Sequence, residues 1–286
     1  MAVAIGLARV ASDRADFGPR KKPLVVYCAA GLRTAVEQVL ARYEADRGET
    51  TALQLGPSGA LEAQIRLSGK GDLYLPAAAE PFLSRLQSDG LVGDVLPIAR
   101  MRLVLAYSPR VAERPRSISE LLDSSLDVGV CNVQAAAGLK TKEALAAVGL
   151  WDRLERSATA SLPTVTELAE AVRDGGRLEA GIVWDTTARQ FGLPLVEPPE
   201  LAEAHAIVGV GVLSSSSDPS AAQRLARYLA APDGGRPMFA EHGFAGLRPR
   251  REEATPARAS LHPTGLNPTG LNPPGLKPST GPAPGS

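Results

Sequence analysis

Short apolar runs alternate along this chain with stretches in which apolar side chains recur every three to four positions. The first run, Leu24-Val25-Val26-Tyr27-Cys28, is continuous, as in a strand covered on both faces. Val36, Val39, Leu40 and Tyr43 follow at i, i+3, i+4 and i+7 and predict an amphipathic helix. The alternation continues with a strand at Thr51 to Leu55, a helix from Leu61 with Ile65 on its apolar face, and a strand at Gly71 to Leu75. A helix around Phe82 to Ser88 ends before Gly90, and a longer strand covers Arg102 to Tyr107.

The pattern then restarts. Ser117 and Glu120 have capping-box spacing ahead of a helix to Leu122, and Leu126 to Cys131 is a strand. Lys142 to Val148 is a helix closed by Gly149, and Thr164 with Glu167 opens another helix to Val172. Strands at Ala180 to Trp184 and Ala206 to Leu213 and a helix at Ala221 to Leu229 complete the series. Two sets of alternating units predict an α/β chain of two lobes, with a ligand cleft between them.

Composition trims this picture at both ends. Of 286 residues, Gly accounts for 28 and Pro for 24. Part of that excess is a tail in which His262-Pro-Thr-Gly-Leu, Asn267-Pro-Thr-Gly-Leu and Asn272-Pro-Pro-Gly-Leu repeat. Residues 251–286 are expected to be disordered, because they carry too little apolar surface to offset their ordering entropy. Residues 1–22 read as a leader or linker: the apolar stretch Ala2 to Ala11 is broken by Arg9, and Arg20, Lys21 and Lys22 come after it. A secretory signal has the opposite order, so a truncated signal or anchor is one reading and a chain that is not exported is the other. No apolar run reaches 18 residues, so no transmembrane helix is expected.

Charge and motifs narrow the function. Lys plus Arg and Asp plus Glu both total 31, which argues against a nucleic-acid binder. Cys28 and Cys131 are the only cysteines, so neither a CxxC zinc site nor a disulfide scaffold is expected. His205, His242 and His262 fall in no metal-ligand spacing, and no GxSxG, Walker or GxGxxG motif follows a strand. No catalytic residue is assigned, and no cofactor is expected.

What recurs is a strand, a loop of small residues and a helix start. Cys28-Ala29-Ala30-Gly31-Leu32, Gly56-Pro57-Ser58-Gly59-Ala60 and Gln134-Ala135-Ala136-Ala137-Gly138 have this form. Pro163-Thr164-Val165 and Trp184-Asp185-Thr186-Thr187 add two further junctions. A helix start presents unpaired N–H groups and the positive end of its dipole. Several of them facing one cleft would hold an anion without a formal positive charge.

On these segments the sequence resembles the molybdate-binding, periplasmic-type solute receptors of ABC transporters. The similarity runs from Pro23 to Leu247. It rests on Val25 to Leu32, on Gly56-Pro-Ser-Gly-Ala-Leu-Glu-Ala-Gln-Ile65, and on Gly71-Asp-Leu-Tyr-Leu-Pro-Ala77. Ala137-Gly138, Lys142-Glu-Ala-Leu145, Gly149-Leu-Trp-Asp152 and Gly181-Ile-Val-Trp184 continue it in the same order. The resemblance implies a two-lobed periplasmic-binding-protein fold with crossover hinge strands and a central anion cleft. Lobe I would comprise residues 23–100 plus 206–250, and lobe II residues 101–205.

Carried over by position, the ligand contacts fall on Gly31, Ser58, Ala137, Val165 and Trp184, with Ala30, Arg33 and Gly59 beside them. Gly31 stands where the family has a serine, so one hydroxyl donor is lost, and Trp184 stands where it has a tyrosine. Arg33 could compensate by a charge-assisted bond. The resemblance further implies that the ligand is molybdate or tungstate, with sulfate as an alternative, and that any molybdenum enters only as the oxyanion. It implies a permease partner, a monomeric state and a location outside the cytoplasm. A sensor or storage domain of the same fold, without a transporter, is the competing reading. An enzyme on this fold and a ligand-sensing regulator are weaker ones.

Overall fold

The structure, a computed structural model, describes residues 22–247. The leader and repeat-tail readings therefore lie outside the described residues, Lys22 apart. Strand β1 (Leu24–Ala29) lies between β2 (Thr51–Gly56) and β3 (Leu73–Leu75), parallel to both. Its run of apolar residues follows from that central place, since neither face meets water. Helix α1 (Arg33–Arg47) buries Ala35, Val36, Val39, Leu40 and Tyr43, the stripe read from the sequence plus one alanine. Helices α2 (Ser58–Ser68) and α3 (Ala79–Ser88) complete the first set of units.

Strand β4 (Val92–Tyr107) has 16 residues, far more than the Arg102 to Tyr107 segment visible in the sequence. Gly93, Asp94 and Pro97 interrupt its apolar pattern and hide its first half. That half pairs antiparallel with β9 (His205–Leu213), with register shifts between Val92 and Val95 and between Pro97 and Ala99. Such irregularities let an antiparallel strand carry a proline. From Leu103 onward β4 pairs instead with β7 (Ala180–Trp184), while β8 (Leu195–Val196) pairs with Leu105 and Ala106.

The second set of units is built around β5 (Val128–Cys131), which is parallel to both β6 (Ala160–Leu162) and β7. Among the described residues the strands form one path in the order β2-β1-β3-β9-β4-β7-β5-β6. Helices α4 (Ile118–Asp123), α5 (Ala136–Ala147), α6 (Trp151–Ser157), α7 (Val165–Arg173) and α8 (Asp185–Gln190) belong to this set. Helices α9 (Pro219–Ala230) and α10 (Gly235–Glu241) follow β9.

Local chemistry explains the helix starts. Ser117 Oγ and Thr164 Oγ1 accept from the backbone N–H groups of Glu120 and Glu167, as their spacing predicts. The Glu120 carboxylate, however, reaches back to the N–H of Arg116 and not to that of the cap residue. Helix α5 starts six residues before the expected Lys142, at Ala136. Its alanines have the highest helix propensity of any residue and no apolar period to betray them, so they read as a loop of small residues. Helix α6, which begins at Trp151, has only seven residues and shows too little periodicity to be visible in the sequence.

Candidate functional site

The carboxyl ends of the parallel strands on both sides of β4 lead to one small cavity. After β1 comes a 3₁₀ turn, Ala30–Leu32, and after β2 comes Pro57 with the start of α2. On the other side β5 leads to the start of α5, β6 to that of α7 and β7 to that of α8. The cavity measures about 20 Å³ and is lined by residues from all of these junctions. Gly31, Ser58, Ala137, Val165 and Trp184 all border it, as does Ala30. The structure thus gathers residues spread over more than 150 positions of sequence into one place.

Its walls are donors. Ser58, Ala136, Ala137 and Val165 hold the first positions of their helices, where the N–H has no carbonyl within its own helix to meet. None of the four donates to a group among the described residues. Ser58 is 1% exposed, and its Oγ accepts from the N–H of Ala77 at 3.2 Å. That bond fills an acceptor position of the hydroxyl and leaves its proton free to point elsewhere. Tyr74 fixes the same residue from the opposite side, its phenol donating to the Ser58 carbonyl at 2.7 Å. Burial pushes the Tyr74 phenol well above its ordinary pKa, so it remains a donor. The Trp184 indole N–H likewise donates to no group among the described residues.

No ionisable side chain borders the cavity. Cys28 and Cys131, near the ends of β1 and β5, are buried, and burial pushes both thiols upward, that of Cys131 to about 12. Neither supplies a thiolate near neutral pH. Positive potential at the cavity wall therefore comes from helix-start N–H groups, the Ser58 hydroxyl and the Trp184 indole, not from a formally charged side chain in the lining.

Two of the neighbouring candidates are placed elsewhere. The Arg33 side chain is 61% exposed and its Nε donates to Glu37 Oε1 at 2.8 Å, so it does not stand in for the hydroxyl missing at Gly31. Its i, i+4 partner on the outer face of α1 draws it away from the cleft. The N–H of Gly59 donates to the backbone carbonyl of Gln134 at 2.8 Å, across the cleft, and is not available to a ligand. A Cβ on Gly59 would stand 2.9 Å from that oxygen, so the approach requires glycine. Asp185, next to Trp184, also turns away. Its carboxylate accepts from the Arg102 N–H at 3.1 Å and from Arg189 at 2.9 Å, beside a separate cavity of about 660 Å³.

Sequence reasoning did not single out Ala77, which borders the cavity and whose N–H donates to Ser58 Oγ. Thr164, read as the cap of a helix, also borders the cavity. Each stands two residues past the end of a strand.

A family model for bacterial extracellular solute-binding proteins matches residues 24–245, the whole body that carries this cavity. The chain belongs to that family. A Haemophilus influenzae member named as a candidate binding protein is 27% identical over 234 residues, covering 80% of this chain and 93% of its own. A Bacillus subtilis member, YvgL, named as a candidate substrate-binding lipoprotein of an ABC transporter, is 26% identical, covering 83% of this chain and 92% of its own.

Solved structures of the same architecture bind different solutes. The Azotobacter vinelandii periplasmic molybdate-binding protein superposes with a TM-score of 0.67 at 18% identity, over 79% of this chain and 100% of its own. AfuA from Actinobacillus pleuropneumoniae, with fructose-6-phosphate bound, gives 0.68 at 16%, over 78% and 83%. Iron-bound HitA from Pseudomonas aeruginosa gives 0.64 at 18%, over 82% and 90%. The periplasmic-binding-protein fold is thereby shown, and the family is a bacterial extracellular solute-binding one. Which solute this member takes is a matter for its own cavity.

Proposed function

We propose that the chain captures a small tetrahedral oxyanion, molybdate or tungstate, between its two lobes and passes it to an ABC transporter permease outside the cytoplasm. The lobes would be residues 23–100 with 206–250, and residues 101–205. The observation that carries the reading is the convergence of helix starts from both sides of β4 on one uncharged cavity. N–H groups, a serine hydroxyl and an indole N–H are suited to an anion with no proton to donate. Phosphate, which carries a proton near neutral pH, wants an acceptor facing it. Asp185, the nearest carboxylate in sequence, is held by Arg102 and Arg189 instead.

The same walls argue against the other solutes seen on this fold. A ferric ion calls for hard anionic oxygen ligands, and no carboxylate, phenol or imidazole borders the cavity. Among the described residues no group of three or more His, Cys, Asp or Glu could hold a metal ion. The cavity of about 20 Å³ must widen for any of these solutes, but a five-atom anion asks for far less widening than an organic ligand, whose pockets measure about 300–1,000 Å³. No bond is made or broken in this reading; capture and release are the whole cycle.

Calorimetric titration with molybdate, tungstate, sulfate and phosphate tests it. Molybdate or tungstate should bind most tightly, and phosphate weakly or not at all. Absence of heat and of thermal shift with all four refutes the proposal. Trp184 emission should respond to the bound anion in a Trp151→Phe background.

A further inference from the structure

Resting on the oxyanion reading, we propose that the Thr187 hydroxyl is a further ligand-holding group, which replaces the donor absent at Gly31. Thr187 lies in the first turn of α8 and is 1% exposed. Its Oγ1 has no hydrogen-bond partner. Threonines in helices ordinarily satisfy this oxygen on the carbonyl three or four residues back, which for Thr187 belongs to Trp184 or Val183 at the end of β7. Thr141 does so, donating to the Ala137 carbonyl at 2.7 Å. Thr187 does not, and a buried polar atom left unpaired calls for an explanation.

Its position supplies one. Oγ1 stands 3.7 Å from the point that a Cβ on Gly31 would take. Trp184 Cδ1 is 3.8 Å and Val165 Cγ1 2.8 Å from the same point. Gly31, Val165 and Trp184 border the cavity and Thr187 does not, so the orphan hydroxyl lies directly behind that wall, on the side where a side-chain donor is missing. The donor lost from the β1 loop on one side of the cleft is thus met by a donor on α8 from the other. The cavity of about 20 Å³ is comparable to the space of one water. A five-atom anion therefore moves the Gly31 and Val165 loops slightly outward, which brings one of its oxygens within reach of Oγ1. Gly31 lets this happen because it places no side chain between the two.

The full chain tests the proposal through titrations of wild type, Thr187→Val and Thr187→Ser with sodium molybdate and sodium sulfate. Loss of a hydrogen bond to a charged ligand should weaken molybdate binding about 10- to 100-fold in the valine variant. The serine variant, which keeps the hydroxyl, should bind like wild type. Without added anion the valine variant should melt no lower than wild type, because a methyl group replaces an unpaired hydroxyl. A merely structural role would lower that melting temperature and leave affinity alone. Unchanged affinity in Thr187→Val, or equal losses in both variants, overturns the role of Thr187 while leaving the oxyanion reading intact. Failure of wild type to bind either anion refutes both together.

Discussion

The Gly59 N–H that crosses the cleft to the Gln134 carbonyl gives the sharpest test of how the two lobes hold together. Gly59 has helical backbone in the first turn of α2, so alanine fits its conformation and gains up to about 1 kcal/mol of helix propensity. In the observed arrangement, however, the added Cβ would stand 2.9 Å from the Gln134 oxygen. Something must shift there, and the 2.8 Å hydrogen bond lengthens or breaks. On the capture reading this bond belongs to the ligand-holding arrangement, so a net loss of about 1–2 kcal/mol there should appear as about 5- to 30-fold weaker binding. Gly59 does not border the cavity, so no ligand contact is removed. Titration calorimetry with molybdate measures the loss, X-ray scattering measures the ligand-induced compaction, and denaturation without ligand checks the fold. Gly59→Ala should weaken binding and reduce compaction with no loss of stability. Wild-type affinity, or a loss of affinity matched by a loss of ligand-free stability, refutes the reasoning.

Other outcomes follow from the same geometry. On the proposed reading the Ser58 hydroxyl donates to a charged ligand, so Ser58→Ala should weaken anion binding by about 10- to 100-fold in titration. It also deprives the Ala77 N–H of its acceptor, which should cost about 1 kcal/mol in chemical denaturation. Gly31→Ser should weaken binding although it restores a hydroxyl, since its Cβ meets Val165 Cγ1 at 2.8 Å. Adding Val165→Ala should recover part of the loss, a coupling that a double-mutant cycle in titration would show. Both thiols should resist iodoacetamide at pH 8 in the native protein, Cys131 being pushed to about 12 by burial, and should label on unfolding, as read by mass spectrometry.

Much of the fold was legible because parallel strands and the helices between them have different periods. Leu24 to Cys28 announces a buried strand, and the Val36, Val39, Leu40, Tyr43 stripe announces its helix. The first half of β4 was not legible, since a strand bearing Gly93, Asp94 and Pro97 is specified by its partner β9 and not by its own pattern. The site was legible as a set of junctions. Ser58 and the small residues at Gly31 and Ala137 mark places where backbone can meet a ligand. What no spacing reveals is side-chain direction. Arg33 stands two residues after Gly31 yet bonds Glu37, whereas Thr187, three residues beyond Trp184, brings its hydroxyl to 3.7 Å from the point a Cβ on Gly31 would take.

The place of β9 in the sheet has a consequence for synthesis. Among the described residues it is the last strand in sequence, yet it lies between β3 and β4 and bonds to both. A ribosome must therefore release residues 205–213 before either neighbour is complete. Until then β3 and the first half of β4 each present an open edge, the kind of surface on which nascent chains stick to one another. Closure of the sheet from its middle joins partners more than 100 residues apart, which makes folding slow relative to chains of local contacts. The strand that joins the two halves is thus also the one on which assembly waits.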